Sequence, residues 1–266
     1  MIYEKIQLDE EAYLEVFAAN RVGDFVRKAI LVIPGGGYGT VCADREGEPI
    51  ALAFMPYGYN AFVLHYSVGG KRPFPTQLIQ ASMAMKHIKD NAEKYNIDPQ
   101  KVFVTGFSAG GHLAGSLGTM WHKQEVYDVV DMPYGYNKPA GMMLVYPVVT
   151  GLYDWAHHPS FQNLLGTKEP SAEQLIETSL EKNVDERSCP LYLVHTSNDQ
   201  LVNIRNAMVL VDAYTNAGLT FEMHVYPDAP HGVALGNAIT KCGCEKYENP
   251  CIAQWVKNAV MWAERV

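Results

Sequence analysis

The sequence predicts one α/β domain, a mostly parallel sheet with helices packed on both of its faces. Three observations predict it. Short, continuous apolar runs recur along the chain, the pattern of strands buried on both sides. Segments with helical spacing fall between those runs. No Gly/Ser linker, composition shift or internal repeat divides residues 1–266, so a single domain is expected.

The elements follow in order. Residues 13–18 alternate, as an antiparallel edge strand does. Residues 29–33 (AILVI) and 61–66 (AFVLHY) are buried-strand runs. Residues 76–95 place Leu78, Ile79, Met83, Met85 and Ile88 at helical spacing. Residues 101–105 form a β-branched run that leads into an Ala- and Leu-rich helix over 109–121. Strands over 141–146, 191–195 and 221–226 alternate with helices over 203–216 and 252–264. The longest stretch between strands, about 150–185, holds two short helices near 161–165 and 172–182. A long connection of this kind is expected to lie over an active site as a lid or cap.

Bulk properties narrow the function. Hydrophobic residues make up 48% and charged residues 19%, the balance of a folding globular chain. The net charge is −8 with a pI of about 5.6 and there is no Lys/Arg run, so nucleic acid is not an expected partner. No segment has the length of a membrane span, and the first residues lack the basic-then-apolar order of a leader, so a cytoplasmic protein is expected. Of five cysteines, Cys242, Cys244 and Cys251 cluster, but the spacing is unusual for zinc and no histidine joins them. Free thiols, no metal and no cofactor are expected.

Residues 106–110 read Gly-Phe-Ser-Ala-Gly, with a strand before and a helix after. In that setting G-x-S-x-G is a sharp turn that lifts a serine clear of the sheet at a helix N-terminus. Alone, the pentapeptide fits a helix cap equally well. A nucleophilic serine needs a base, and in open α/β sheets its partners lie in loops at the carboxyl ends of strands. His231 lies just past the last strand in Pro230-His231-Gly232 and is the expected base. His65, His195 and His224 lie inside strands, His87 on a helix, and His112 one turn beyond Ser108. His157 and His158 fall in the long inter-strand segment. Asp199 follows the preceding strand and is the expected acid, with Asp154 as its main rival and Asp228 read as a turn residue. Pro34-Gly35-Gly36-Gly37-Tyr38, after the strand 29–33, offers backbone N–H groups that with Ala109 could receive a carbonyl oxyanion.

These stretches resemble the α/β-hydrolase esterases of the acetyl-xylan-esterase and hormone-sensitive-lipase-like type. Residues 106–114 (GFSAGGHLA) follow that family's nucleophile stretch almost letter for letter, and the resemblance covers most of the chain. Asp44-Arg45-Glu46-Gly47-Glu48-Pro49 is similar to its sugar-ester branch. Pro34 stands where the wider lipase group has a histidine. The resemblance implies an α/β-hydrolase fold and a serine carboxylesterase acting through an acyl-enzyme on short acyl esters, acetyl groups on xylose-type sugars among them. It implies Ser108, Asp199 and His231 as catalytic residues and Gly36, Gly37 and Ala109 as oxyanion donors. The expected partner is a small ester or an acetylated oligosaccharide; the oligomeric state is left open. Tyr38, Trp155 and Trp255 are candidates to line the substrate pocket, and Arg45 with Glu46 is read as an ion pair holding the oxyanion loop. A serine peptidase or amide hydrolase, and a non-catalytic protein on the same fold, are the alternatives.

Overall fold

The computed structural model describes residues 1–266. In chain order, β1 (Ile2–Gln7), β2 (Tyr13–Ala18) and β3 (Arg27–Ile33) precede two short helices, α1 (Ala43–Glu46) and α2 (Glu48–Phe54). Then come β4 (Tyr59–His65), α3 (Thr76–Asp90), α4 (Ala92–Tyr95), β5 (Ile97–Phe107), α5 (Ser108–Thr119) and α6 (Gln124–Tyr127). The second half holds β6 (Met142–Val145), α7 (His158–Leu165), α8 (Ala172–Thr178), β7 (Leu191–Thr196), α9 (Arg205–Asn216), β8 (Phe221–Tyr226) and α10 (Trp255–Ala263).

The eight strands form one sheet in the order β1-β2-β4-β3-β5-β6-β7-β8. β2 runs antiparallel to both of its neighbours, and every pairing from β4 to β8 is parallel. This is the α/β-hydrolase fold. The period-2 geometry of a strand divides each apolar run between two cores. In β3, Ala29, Leu31 and Ile33 face the core made with α3, α5 and α9, while Ile30 and Val32 face the core made with α2 and α10. Each fully buried Leu or Ile there stabilises the fold by about 2 kcal/mol, which is why these strands read as unbroken apolar runs.

The chain leaves β3 for β4 on one side and arrives at β5 on the other, so the strand order reverses between β3 and β5. Loops diverge at such a point and leave a crevice at the carboxyl ends of the strands. The Gly35–Gly37 loop follows β3 and Ser108 follows β5, so both border it. Four elements lay outside the sequence expectation: β1, which pairs along β2, the helices α1 and α2, and the single turn α6. No helix is long and apolar enough to cross a membrane.

Candidate active site

The turn between β5 and α5 is built by steric fit. Ser108 itself adopts φ 53°, the left-handed conformation that costs a non-glycine residue on the order of 1 kcal/mol. The flanking glycines are needed for space. A Cβ on Gly106 would stand 2.2 Å from the Gly110 carbonyl oxygen, and one on Gly110 would stand 2.2 and 2.3 Å from the carbonyl oxygens of Ile33 and Pro34. The first turn of α5 therefore lies directly on the end of β3. Ser108 is 8% exposed, at the floor of a cavity of about 310 Å³.

Ser108 Oγ lies 2.9 Å from His231 Nε2, and His231 Nδ1 lies 2.7 Å from Asp199 Oδ2. The three residues come from loops after β5, β8 and β7. The other oxygen of Asp199 accepts the N–H groups of Leu201 and Val202, each at 2.9 Å. Burial raises the Asp199 carboxyl, but the hydrogen bonds from His231, Val202 and Leu201 outweigh it and hold the group below its usual range. Of the rival acids, Asp154 and Asp228 are exposed and neither bonds to His231.

The Gly35–Tyr38 loop fixes its carbonyls and leaves the N–H groups of Gly36, Gly37 and Tyr38 without an acceptor in the protein. Gly35 O accepts from Cys42 N, Gly36 O from Gly39 N and Thr40 N, Gly37 O from Asn163 Nδ2, and Tyr38 O from Gly69 N. Gly36, at φ 127°, has no room for a side chain, because a Cβ would stand 2.2 Å from Thr40 O. Ala109 N belongs to the first turn of α5, where N–H groups lack a partner within the helix.

One buried carboxylate ties this loop to the loop that carries His231. Glu46, 2% exposed, accepts the Gly35 N–H at 2.8 Å on Oε2 and the Tyr146 hydroxyl at 2.9 Å on Oε1. The same hydroxyl accepts the Ala234 N–H at 2.9 Å, and the Tyr146 ring packs edge-on against His231, centroids 4.9 Å apart. The Arg45–Glu46 ion pair expected from the sequence is present but long. Glu46 holds the loop through Gly35, while the nearest Arg45 nitrogen stands 3.9 Å from the carboxylate.

Two further histidines are structural. His112 Nε2 donates to Thr178 O at 2.7 Å, so Nδ1 accepts from the Tyr38 hydroxyl at 2.8 Å. His195 Nε2 donates to Val202 O at 2.9 Å and steadies the turn that carries Asp199. Burial pushes both down to about 4, so both rings are neutral near pH 7.

The three aromatic pocket candidates do not line the cavity. Tyr38 is buried behind the glycine loop and holds it through His112. Trp255 is fully buried against Phe54 and Phe107, and its Nε1 donates to Ala234 O at 3.0 Å, bracing the His231 loop from beneath. Trp155 stacks on Tyr153, centroids 4.8 Å apart, outside the cavity. The walls are instead Cys42, Arg45, His157 and Leu201. Cys42 and Arg45 belong to the segment around α1, which no periodicity marks. His157 is held by Ser160 Oγ at 2.8 Å at the start of α7 and brings the long 150–185 segment to the cavity edge.

Known proteins similar to the chain include ester hydrolases. The BD-FAE family model matches residues 14–214. The chain is 37% identical over 230 residues to endo-1,4-beta-xylanase B of Butyrivibrio fibrisolvens, covering 84% of this chain and 35% of that one. It is 29% identical over 213 residues to the acetylxylan esterase of Xylanibacter ruminicola, covering 79% and 42%. The chain thus spans less than half the length of these two curated relatives. Among solved structures, the acetyl ester-xyloside bifunctional hydrolase of Caldicellulosiruptor lactoaceticus superposes with a TM-score of 0.84 at 29% identity, covering 98% of this chain and 96% of that one.

Proposed function

The chain belongs to the BD-FAE family, and from that premise we propose that it is a serine carboxylesterase that removes short acyl groups, acetyl foremost, from sugar esters. The observation that carries the proposal is the Ser108–His231–Asp199 relay, at 2.9 and 2.7 Å, beside the free N–H groups of Gly36 and Gly37.

Ser108 Oγ attacks the ester carbonyl as its proton passes to His231 Nε2. Asp199 keeps the Nδ1 proton of His231 in place and stabilises the imidazolium. The carbonyl oxygen gains negative charge and moves toward the N–H groups of Gly36, Gly37 and Ala109. Their fixed positions mean that little reorganisation accompanies the reaction. His231 then returns the proton to the leaving alcohol, leaving an acyl group on Ser108. Water enters, loses a proton to the same histidine, and releases the carboxylic acid. The cavity of about 310 Å³, walled by His157 and Leu201, suits a short acyl chain. The sugar alcohol is supported by the acetylxylan esterase and acetyl ester-xyloside hydrolase likenesses.

The test is a series of aryl esters of increasing acyl length, run beside acetylated xylo-oligosaccharides, on the wild-type protein and Ser108→Ala. The variant is expected to keep its melting temperature and lose at least about a thousandfold in kcat. Retained activity in Ser108→Ala would refute the mechanism.

A further inference from the structure

Arg45 is the cation that lines the site. Its side chain donates no hydrogen bond within the protein. Nε is buried without a partner, and the nearest carboxylate oxygen, Glu46 Oε1, stands at 3.9 Å and is already taken by Tyr146. A guanidinium carries five N–H donors in a rigid fork, and here it is the buried Nε–H whose lack of a partner is costly. The group is nonetheless held in position. Its Nη2 packs against Gly232, the residue after His231, and its central carbon lies 5.8 Å from the centre of the Tyr247 ring.

The position of that fork gives it a ligand. Arg45, Leu201 and His231 line the Ser108 cavity and also a second groove of about 460 Å³ that continues outward past Gln200, Pro230 and Tyr247. An ester seated on Ser108 with its acyl group in the inner cavity sends its alcohol half into this outer groove. Gln200 spends its amide nitrogen on Asn198 O at 2.8 Å, which leaves its amide oxygen as an acceptor. The groove therefore presents a fork of donors, one acceptor and an aromatic ring. An alkyl alcohol would cover the Arg45 donors without pairing them. A pyranose would pair them, since adjacent ring hydroxyls match the spacing of the fork and the C–H face of the ring packs on an aromatic surface.

We propose that Arg45, Gln200 and Tyr247 form the subsite for the alcohol half of the ester, and that this half is a pyranose ring. The proposal rests on the esterase reading above and adds the place and chemistry of leaving-group recognition.

The test compares kcat/KM for an acetylated xylose disaccharide with kcat/KM for an aryl acetate, in wild type, Arg45→Met and Tyr247→Leu, with melting temperatures as a folding control. The sugar-to-aryl ratio is expected to fall about tenfold or more in Arg45→Met and several-fold in Tyr247→Leu. Unesterified xylobiose should also inhibit aryl acetate hydrolysis competitively, and less strongly in both variants. A ratio unchanged in both folded variants would overturn the subsite. A wild-type protein that cleaves aryl acetate but no sugar acetate would overturn the pyranose assignment while leaving the esterase standing. Cleavage of neither ester would overturn the esterase reading itself.

Discussion

Replacing Glu46 by glutamine isolates the tie between the glycine loop and the loop that carries His231. The substitution keeps the shape and changes one oxygen, an acceptor, into an NH2 donor. Both groups facing Glu46 are donors, Gly35 N–H at 2.8 Å and Tyr146 O–H at 2.9 Å. If the amide oxygen keeps Gly35, the NH2 points at a hydroxyl that already accepts Ala234 N–H, and the hydroxyl proton is left without an acceptor. One hydrogen bond to a charged group is lost, which costs about 1.5–3 kcal/mol. In stability that is a fall of roughly 3–10 °C in melting temperature for a chain of this size. If the same loss falls on the placement of the oxyanion loop and His231, it slows the reaction about ten- to hundredfold. Because the oxyanion contacts strengthen in the transition state, kcat should fall while KM moves little. Steady-state kinetics on an aryl acetate and a thermal melt measure both. A Glu46→Gln protein with wild-type kcat and melting temperature would refute the argument.

Acid should destabilise the fold. His112 and His195 stay neutral in the folded protein because burial holds them near 4, against about 6.5 when unfolded. The unfolded chain binds more protons between those values, so their contribution is complete above about pH 6.5 and is lost as pH falls toward 4, by a few kcal/mol together. A melting temperature that stays constant from pH 7 to 4.5 would contradict this. The depressed Asp199 carboxyl adds a further loss at still lower pH, as it protonates. Gly110→Ala places a methyl 2.2 Å from Ile33 O, so soluble yield or melting temperature should drop sharply, and wild-type behaviour would mean that α5 does not sit on β3 as described. Activity should fall at least about tenfold between acetyl and octanoyl aryl esters, because an inner cavity of about 310 Å³ walled by Leu201 and His157 suits a short acyl chain, and Leu201→Ala should narrow the difference. Equal rates along the series would contradict the short-acyl reading.

The sheet was legible because burial on both faces removes alternation from its strands, and runs such as 29–33 and 191–195 advertise it. β1 was not, since at the sheet edge only Ile2, Glu4 and Ile6 turn inward, and a single carboxylate blurs the pattern. Ser108, Asp199 and His231 could be picked from one chain because each lies just past a strand, where the fold gathers its loops. The cavity walls could not. Cys42, Arg45, His157 and Leu201 come from three separate segments whose proximity only the folded chain creates. Selection by residue type named Tyr38, Trp155 and Trp255, and large aromatics of this kind serve as braces here: two lie in the cores behind the loops they hold. Glu46 was noticed as part of a motif, but its partners Gly35 and Tyr146 are 11 and 100 residues away in sequence, and that network has no local signature.

The central claim is that Ser108 is the nucleophile and that His231 activates it. Exposure to a fluorophosphonate followed by peptide mass mapping tests it most directly. One adduct is expected, on the peptide bearing Ser108, absent in Ser108→Ala and formed far more slowly in His231→Ala. A wild-type protein that hydrolyses aryl acetates yet carries no adduct, or carries it on another residue, would contradict the account.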